Sequence, residues 1–172
     1  MPVTPFHIGP GLIIKAVLQG SFSLMIFGWS QIIIDIQPLI VLMTGRGSLH
    51  GLTHTFIGAS FLAVIAALTG KSISEWFLRR LELPQIRFST SISWPVAFIS
   101  AFLGTFIHII LDSVMHSDME PFYPVISGNH LHGAVAVSVL HKLCLVAGVI
   151  GCIVYVIVNK YILAKKNVTI ID

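Results

Sequence analysis

His108, Asp112 and His116 stand four residues apart in the stretch Gly104-Thr-Phe-Ile-His108-Ile-Ile-Leu-Asp112-Ser-Val-Met-His116-Ser-Asp118. On a helix this spacing stacks three side chains on one face. Imidazole and carboxylate are the usual ligands of zinc and related divalent ions, and successive turns of one helix deliver them to a common point. The competing explanation is a helix end that carries polar groups out of an apolar segment. A second pair, His50 and His54 in His50-Gly-Leu-Thr-His54, has the same spacing and reads as a chelate at the start of a helix, with Thr53 and Thr55 placed to orient the rings. Such histidines also serve simply to bond backbone or water.

Asp35 lies inside Gln31-Ile-Ile-Ile-Asp35-Ile-Gln37-Pro-Leu-Ile. An unpaired carboxylate in hydrocarbon costs about 3 kcal/mol or more, so its presence marks a site unless Ser30, Gln31 or Gln37 satisfies it. His7 sits just before a helix start at Pro10-Gly11. In the proline-rich loop after His116, Asp118 or Glu120 is placed to act as general base, and His130 or His132 to protonate a leaving group.

The elements that must hold these residues are membrane helices. The chain is 55% hydrophobic and 10% charged, with a mean hydropathy of +0.92, outside the range of soluble domains. Its apolar runs are Gly11 to Leu18, Phe22 to Met43, Leu52 to Leu68, Ile92 to Val114 and Ala134 to Ile162. The last four are long enough to cross a core that needs about 20 residues. The expected fold is all-α: one integral membrane domain over residues 1–172, with four long transmembrane helices, a short N-terminal helix and an interfacial amphipathic helix. The last is expected over Lys71 to Phe88, anchored by Trp76 and ended by Pro84. Gly20-Ser21 turns the first arm back on the second, which brings His7 level with Asp35, and Pro38 is expected to kink the second arm. Cys144 and Cys152, about 12 Å apart along one helix, are too distant for a disulfide and read as packing residues, as does His141.

The net charge of +3 and pI near 9.1 come from bases beside helix ends, which read as topology signals and not as a nucleic-acid surface. Lys71, Arg79, Arg80, Arg87, Lys160, Lys165 and Lys166 fall on one face, which the positive-inside rule makes cytoplasmic, together with the C-terminus. Asp35, His50, His54, His108, Asp112 and His116 then converge toward the outer face. Asp35 and His108 are expected about 12 Å below it and Asp112 and His54 about 6 Å. Within this set, His54, His108, Asp112 and His116 are the expected inner ligands, with Asp35 bound directly or one shell out and His50 more peripheral.

Thr4-Pro-Phe-His7, the lone Asp35 before Pro38, His50-Gly-Leu-Thr-His54 and His108-Ile-Ile-Leu-Asp112 resemble, in that order, motifs of the YdjM-like bacterial inner-membrane metal-dependent hydrolases. The likeness covers about the first 125 residues. It implies a metal-dependent hydrolase of the bacterial inner membrane. That family's Pro-Asp-x-Asp element is here Ile34-Asp35-Ile36-Gln37, with an amide in place of the second carboxylate, which removes a ligand from any second metal. A fainter similarity, the His-x-x-x-Asp element with a further His close behind, is to the helical zinc-dependent phospholipase C and nuclease enzymes. It implies a phosphoester substrate.

The function expected is hydrolysis of a lipid or other phosphoester at the outer face, using one or two divalent ions, zinc above others. A metal-ion or proton carrier is the alternative from another class, since intramembrane His and Asp also build ion pathways. The cytoplasmic halves of the helices that carry His54 and His108 offer no continuing ligands. Haem binding fits poorly with so many carboxylates, and a purely structural membrane protein would leave the convergence unexplained.

Overall fold

The computed structural model describes residues 5–81 and 91–168, with side chains over 6–81 and 91–161. Among these residues the chain is helical and has no strand. The α-helices are α1 (Ile8–Leu18), α2 (Leu24–Ile34), α3 (Ile36–Thr44), α4 (Phe56–Leu81), α5 (Trp94–Met115) and α6 (Val137–Val168), with short 3-10 turns at Pro5–His7, Gln19–Ser21 and Leu52–His54. Four segments are long and apolar enough to cross a membrane: Leu24–Thr44, Phe56–Arg80, Trp94–Met115 and Val137–Tyr161.

Side-chain size is sorted inside out relative to a soluble bundle. The faces where α2, α4 and α5 meet are filled by Ala59, Ala63, Ala66, Ala67, Ala97 and Ala101 around Ile26, Ile33 and Ile34, all buried. The large apolar side chains Ile32, Phe61, Leu68, Ile99, Leu145 and Val149 point outward. A hydrocarbon surrounding would remove the penalty for exposing them, while small residues let backbones approach closely. Gly104 illustrates this: a Cβ there would run into the Ser30 hydroxyl and crowd the Phe27 carbonyl.

α1 packs along α6 through a similar surface. A Cβ on Gly9 would strike the Cys144 carbonyl, and one on Gly151 would strike the backbone at Leu12. The α1–α2 hairpin is closed at its tip by Lys15, whose Nζ donates to the carbonyls of Gln19 and Phe22 at 2.7 Å each. It is docked on α5 where the Ser23 amide donates to Ser100 Oγ at 2.8 Å. His7 before α1 and Asp35 after α2 therefore return to the same end of the molecule.

Three boundaries differ from the sequence expectation. The second arm breaks at Asp35 instead of at Pro38, because the proline lacks the N–H that would bond the Ile34 carbonyl and its ring crowds that carbonyl, so the disturbance appears one turn earlier. α4 begins at Phe56, because Gly51 departs from helical geometry and Thr55 is extended, its Oγ1 accepting the Gly58 amide at 3.0 Å as a cap. His50 and His54 thus lie on a loop and a 3-10 turn, not on a helix. Lys71–Leu81 continues α4 without a break; Lys71 pairs with Glu75 one turn on, and its Nζ donates to the Ile92 carbonyl at 2.7 Å. The rest of the expected interfacial helix, with Pro84 and Arg87, lies outside the described residues, as does Thr4.

Candidate metal centre

α5 supplies His108 and Asp112 from consecutive turns, the break after α2 supplies Asp35, and the 3-10 turn before α4 supplies His54. One ligand atom from each of the four lies within 4.8 Å of those of the others. His108 Nε2 is 3.2 Å from Asp112 Oδ2 and 3.4 Å from Asp35 Oδ1, and His54 Nε2 is 4.0 Å from Asp35 Oδ1. His7 reaches in from the start of α1, with Nε2 3.4 Å from Asp112 Oδ1 and its ring edge-on to that of His108. All five residues are at least 96% buried. Two ligands bound about 2.0–2.1 Å from one ion at a tetrahedral angle lie about 3.3 Å apart, which matches the shorter of these separations.

The rings are held with their Nε2 atoms facing inward. His108 Nδ1 lies 2.7 Å from Gln31 Oε1, an oxygen that only accepts, so Nδ1 carries the proton. The Gln31 amide is fixed in that sense because its Nε2 donates to the Gly104 carbonyl at 3.0 Å. His54 Nδ1 lies 3.0 Å from Thr53 Oγ1, and the Thr53 hydroxyl donates its one proton to Gln37 Oε1, so His54 Nδ1 is again the donor. Gln37 is oriented in turn by donating to the Ser48 carbonyl at 3.2 Å. In a neutral imidazole each Nε2 is then a bare lone pair. Burial, the largest influence on both, favours the neutral state of His7 and His54 and lowers their pKa values to about 4.

His7 Nε2, His54 Nε2, His108 Nε2 and Asp112 Oδ1 are buried without a hydrogen-bond partner. Unsatisfied buried polar atoms are costly, and lone pairs facing carboxylates more so. Their convergence fits a cation with His and Asp ligands, the donor set suited to zinc.

His116 does not join this set. It caps α5 in an extended conformation (φ −116°, ψ 121°), which swings its ring away from the line of His108 and Asp112. It stacks instead on His50, centroids 4.4 Å apart, and with His50 and Asp118 forms a second, half-exposed group. There His50 Nδ1 is 2.8 Å from Asp118 Oδ2, and His50 also meets the His54 ring edge-on at 5.1 Å. Asp118 is only slightly buried, which alone would raise its pKa; the His50 hydrogen bond outweighs this and holds the carboxyl below its usual range.

Glu120 is occupied elsewhere, accepting the Gly128 amide at 3.1 Å and so bracing the loop. His130 and His132 are exposed in that loop and belong to neither group. Asn129, which sequence reading passed over, closes the loop on the end of α5 by donating to the carbonyls of Ser113 and His116, both at 2.8 Å. Gln31 and Gln37 are the other residues whose orienting roles were missed. The signal available was two amides four residues before and two after a buried carboxylate in an apolar run. His141 stacks on Phe6 behind His7 with centroids 4.6 Å apart.

No protein-family model, curated protein or solved structure matches this chain.

Proposed function

We propose that this chain is a metal-dependent hydrolase embedded in the bacterial inner membrane, with its site toward the periplasmic side and its C-terminus cytoplasmic. The observation that carries the proposal is the convergence of four buried, unpartnered ligand atoms, His7 Nε2, His54 Nε2, His108 Nε2 and Asp112 Oδ1, beside Asp35. Asp35, His54, His108 and Asp112 would hold the ion, zinc by its donor set, with His7 completing or supporting the shell, and an ion there would supply Lewis-acid chemistry and a nucleophilic water available near neutral pH.

The half-exposed group adjoins this centre through the edge-on contact of the His50 and His54 rings. Asp118 fixes the His50 ring through Nδ1, which leaves Nε2 to take a proton from a water and return it to the leaving group. His116, stacked on His50, limits the ring's rotation. In this reading Asp118 works through His50, and Glu120 serves the loop. A lipid or other phosphoester is the substrate class, as the resemblance implies.

One observation favours a second reading. His108 between two carboxylates, at 3.2 and 3.4 Å, also suits a proton-binding histidine in a carrier. The two readings separate on one experiment: detergent-purified protein is stripped with a chelator, reloaded with zinc, and assayed on a chromogenic phosphodiester. The hydrolase requires activity that disappears with the metal and returns with it, and that His50→Ala lowers by about 100-fold or more, the scale of a lost general base. Zinc-independent proton flux without hydrolysis in proteoliposomes would establish the carrier instead.

A further inference from the structure

The loop after α5 and the start of α4 enclose a cleft of about 210 Å³. Phe56, Ile57, Pro121, Phe122, Val125 and Ile126 line it, together with Tyr123. It is too small for a whole drug-sized ligand, which needs about 300 Å³ or more, but has room for several methylenes. The two walls are tied together where the Phe56 amide donates to the Pro121 carbonyl at 2.8 Å, and Met119, 1% exposed, is wedged beneath them.

Its position relates it to both the bilayer and the metal centre. Ile57 begins the exposed apolar stripe Ile57, Phe61, Ile65 and Leu68 along α4, a membrane-spanning helix, so the cleft continues the lipid-facing surface. On the other side, Ile57 follows His54 by three residues and Pro121 follows Asp118 by three, a reach of at most about 10 Å. That is the span between a lipid's ester group and the first part of its acyl chain. The loop side chains Phe122, Tyr123, Val125 and Ile126 are exposed, and an aqueous surface would penalise them.

We infer that this cleft is an acyl-chain subsite, which seats one chain of a glycerolipid while its ester or phosphoester lies over the His/Asp centre. The inference rests on the hydrolase reading and narrows its substrate to a lipid. An acyl chain is already in apolar surroundings in the bilayer, so the cleft gains little hydrophobic free energy by taking it. Its effect is on position: it fixes the depth and register of the scissile group.

The test is photo-crosslinking in vesicles of phosphatidylethanolamine and phosphatidylglycerol doped with a phosphatidylglycerol that carries a diazirine on the proximal half of one acyl chain. Adducts are mapped by mass spectrometry on wild type, Ile57→Trp, the loop variant Val125→Trp, and Phe61→Trp as a control on the lipid-facing stripe. The subsite requires adducts at Ile57, Phe122 and Ile126 several-fold above those at Leu68, reduced by Ile57→Trp or Val125→Trp and unchanged by Phe61→Trp. Equal labelling of cleft and stripe, or labelling indifferent to both tryptophans that narrow the cleft, would overturn it as ordinary annular lipid contact. Bound metal is measured on the same samples, so a metal-loaded protein with no cleft adducts removes the subsite and leaves the hydrolase reading, whereas cleft adducts on a protein that never binds metal do the reverse.

Discussion

The centre depends as much on Gln31, Thr53 and Gln37 as on the groups that face one another. Each imidazole has two nitrogens, and only a partner on Nδ1 forces the lone pair of Nε2 inward. Gln31→Leu is therefore expected to weaken zinc binding by about 10- to 100-fold, and Thr53→Val by a similar factor, as read by competition with a chromogenic chelator. His141→Phe, which keeps the stack on Phe6, should leave it unchanged. The same geometry sets a pH response in the metal-free protein. His7 and His54 have folded pKa values of about 4 against 6.5 unfolded, so below pH 6.5 the unfolded chain takes up protons first. Stability of the apo form should fall as pH drops from about 6.5 to about 4, and His54→Gln should flatten that fall. An apo thermal midpoint independent of pH over this window would contradict it. At this scale the sequence was informative about which residue types gather, because His and Asp are conspicuous in an apolar chain. It was less so about their grouping, since His116 belongs with His108 only if the helix continues past Met115, and it does not.

Among the elements, the position of His7 is set by how closely α1 lies against α6. Gly9 leaves no room for a side chain against Cys144, so Gly9→Val should push α1 outward, cost about 1–3 kcal/mol, and lower bound metal with it. Gly20, with open space around it, should tolerate Ala with no loss of metal. Thermal unfolding and metal content of the two variants, side by side, check both expectations. The elements themselves were legible from hydropathy, including the turn near Gly20 that returns His7 toward Asp35. Their ends were legible only where a cap or a proline was read with its physical consequence: Pro38 acts on the carbonyl four residues before it, and Thr55, not His50, opens α4.

For the whole molecule, the sorting of small residues inward and large apolar residues outward agrees with the membrane reading that composition gave. Orientation rests on the distribution of Lys and Arg, and the proposal makes a direct demand of it. A reporter that works only in the cytoplasm, fused after Asp172, should be active, and a periplasmic reporter there should be silent; the reverse would turn the site toward the cytoplasm. What no pattern in the sequence could reveal is the cleft beside α4, because its two walls are more than sixty residues apart and meet through the Phe56–Pro121 backbone hydrogen bond and the Phe56–Phe122 ring contact.

The central claim is that the buried group, and not the half-exposed one, holds the metal. Elemental analysis of detergent-purified protein tests it with two double variants compared with wild type. Wild type should carry about one zinc-class ion per chain at the buried group, with four or five protein ligands. His54→Ala with Asp112→Ala should lose that ion, and His50→Ala with His116→Ala should keep it. Stoichiometric metal in the first variant, or its loss from the second alone, would contradict the account.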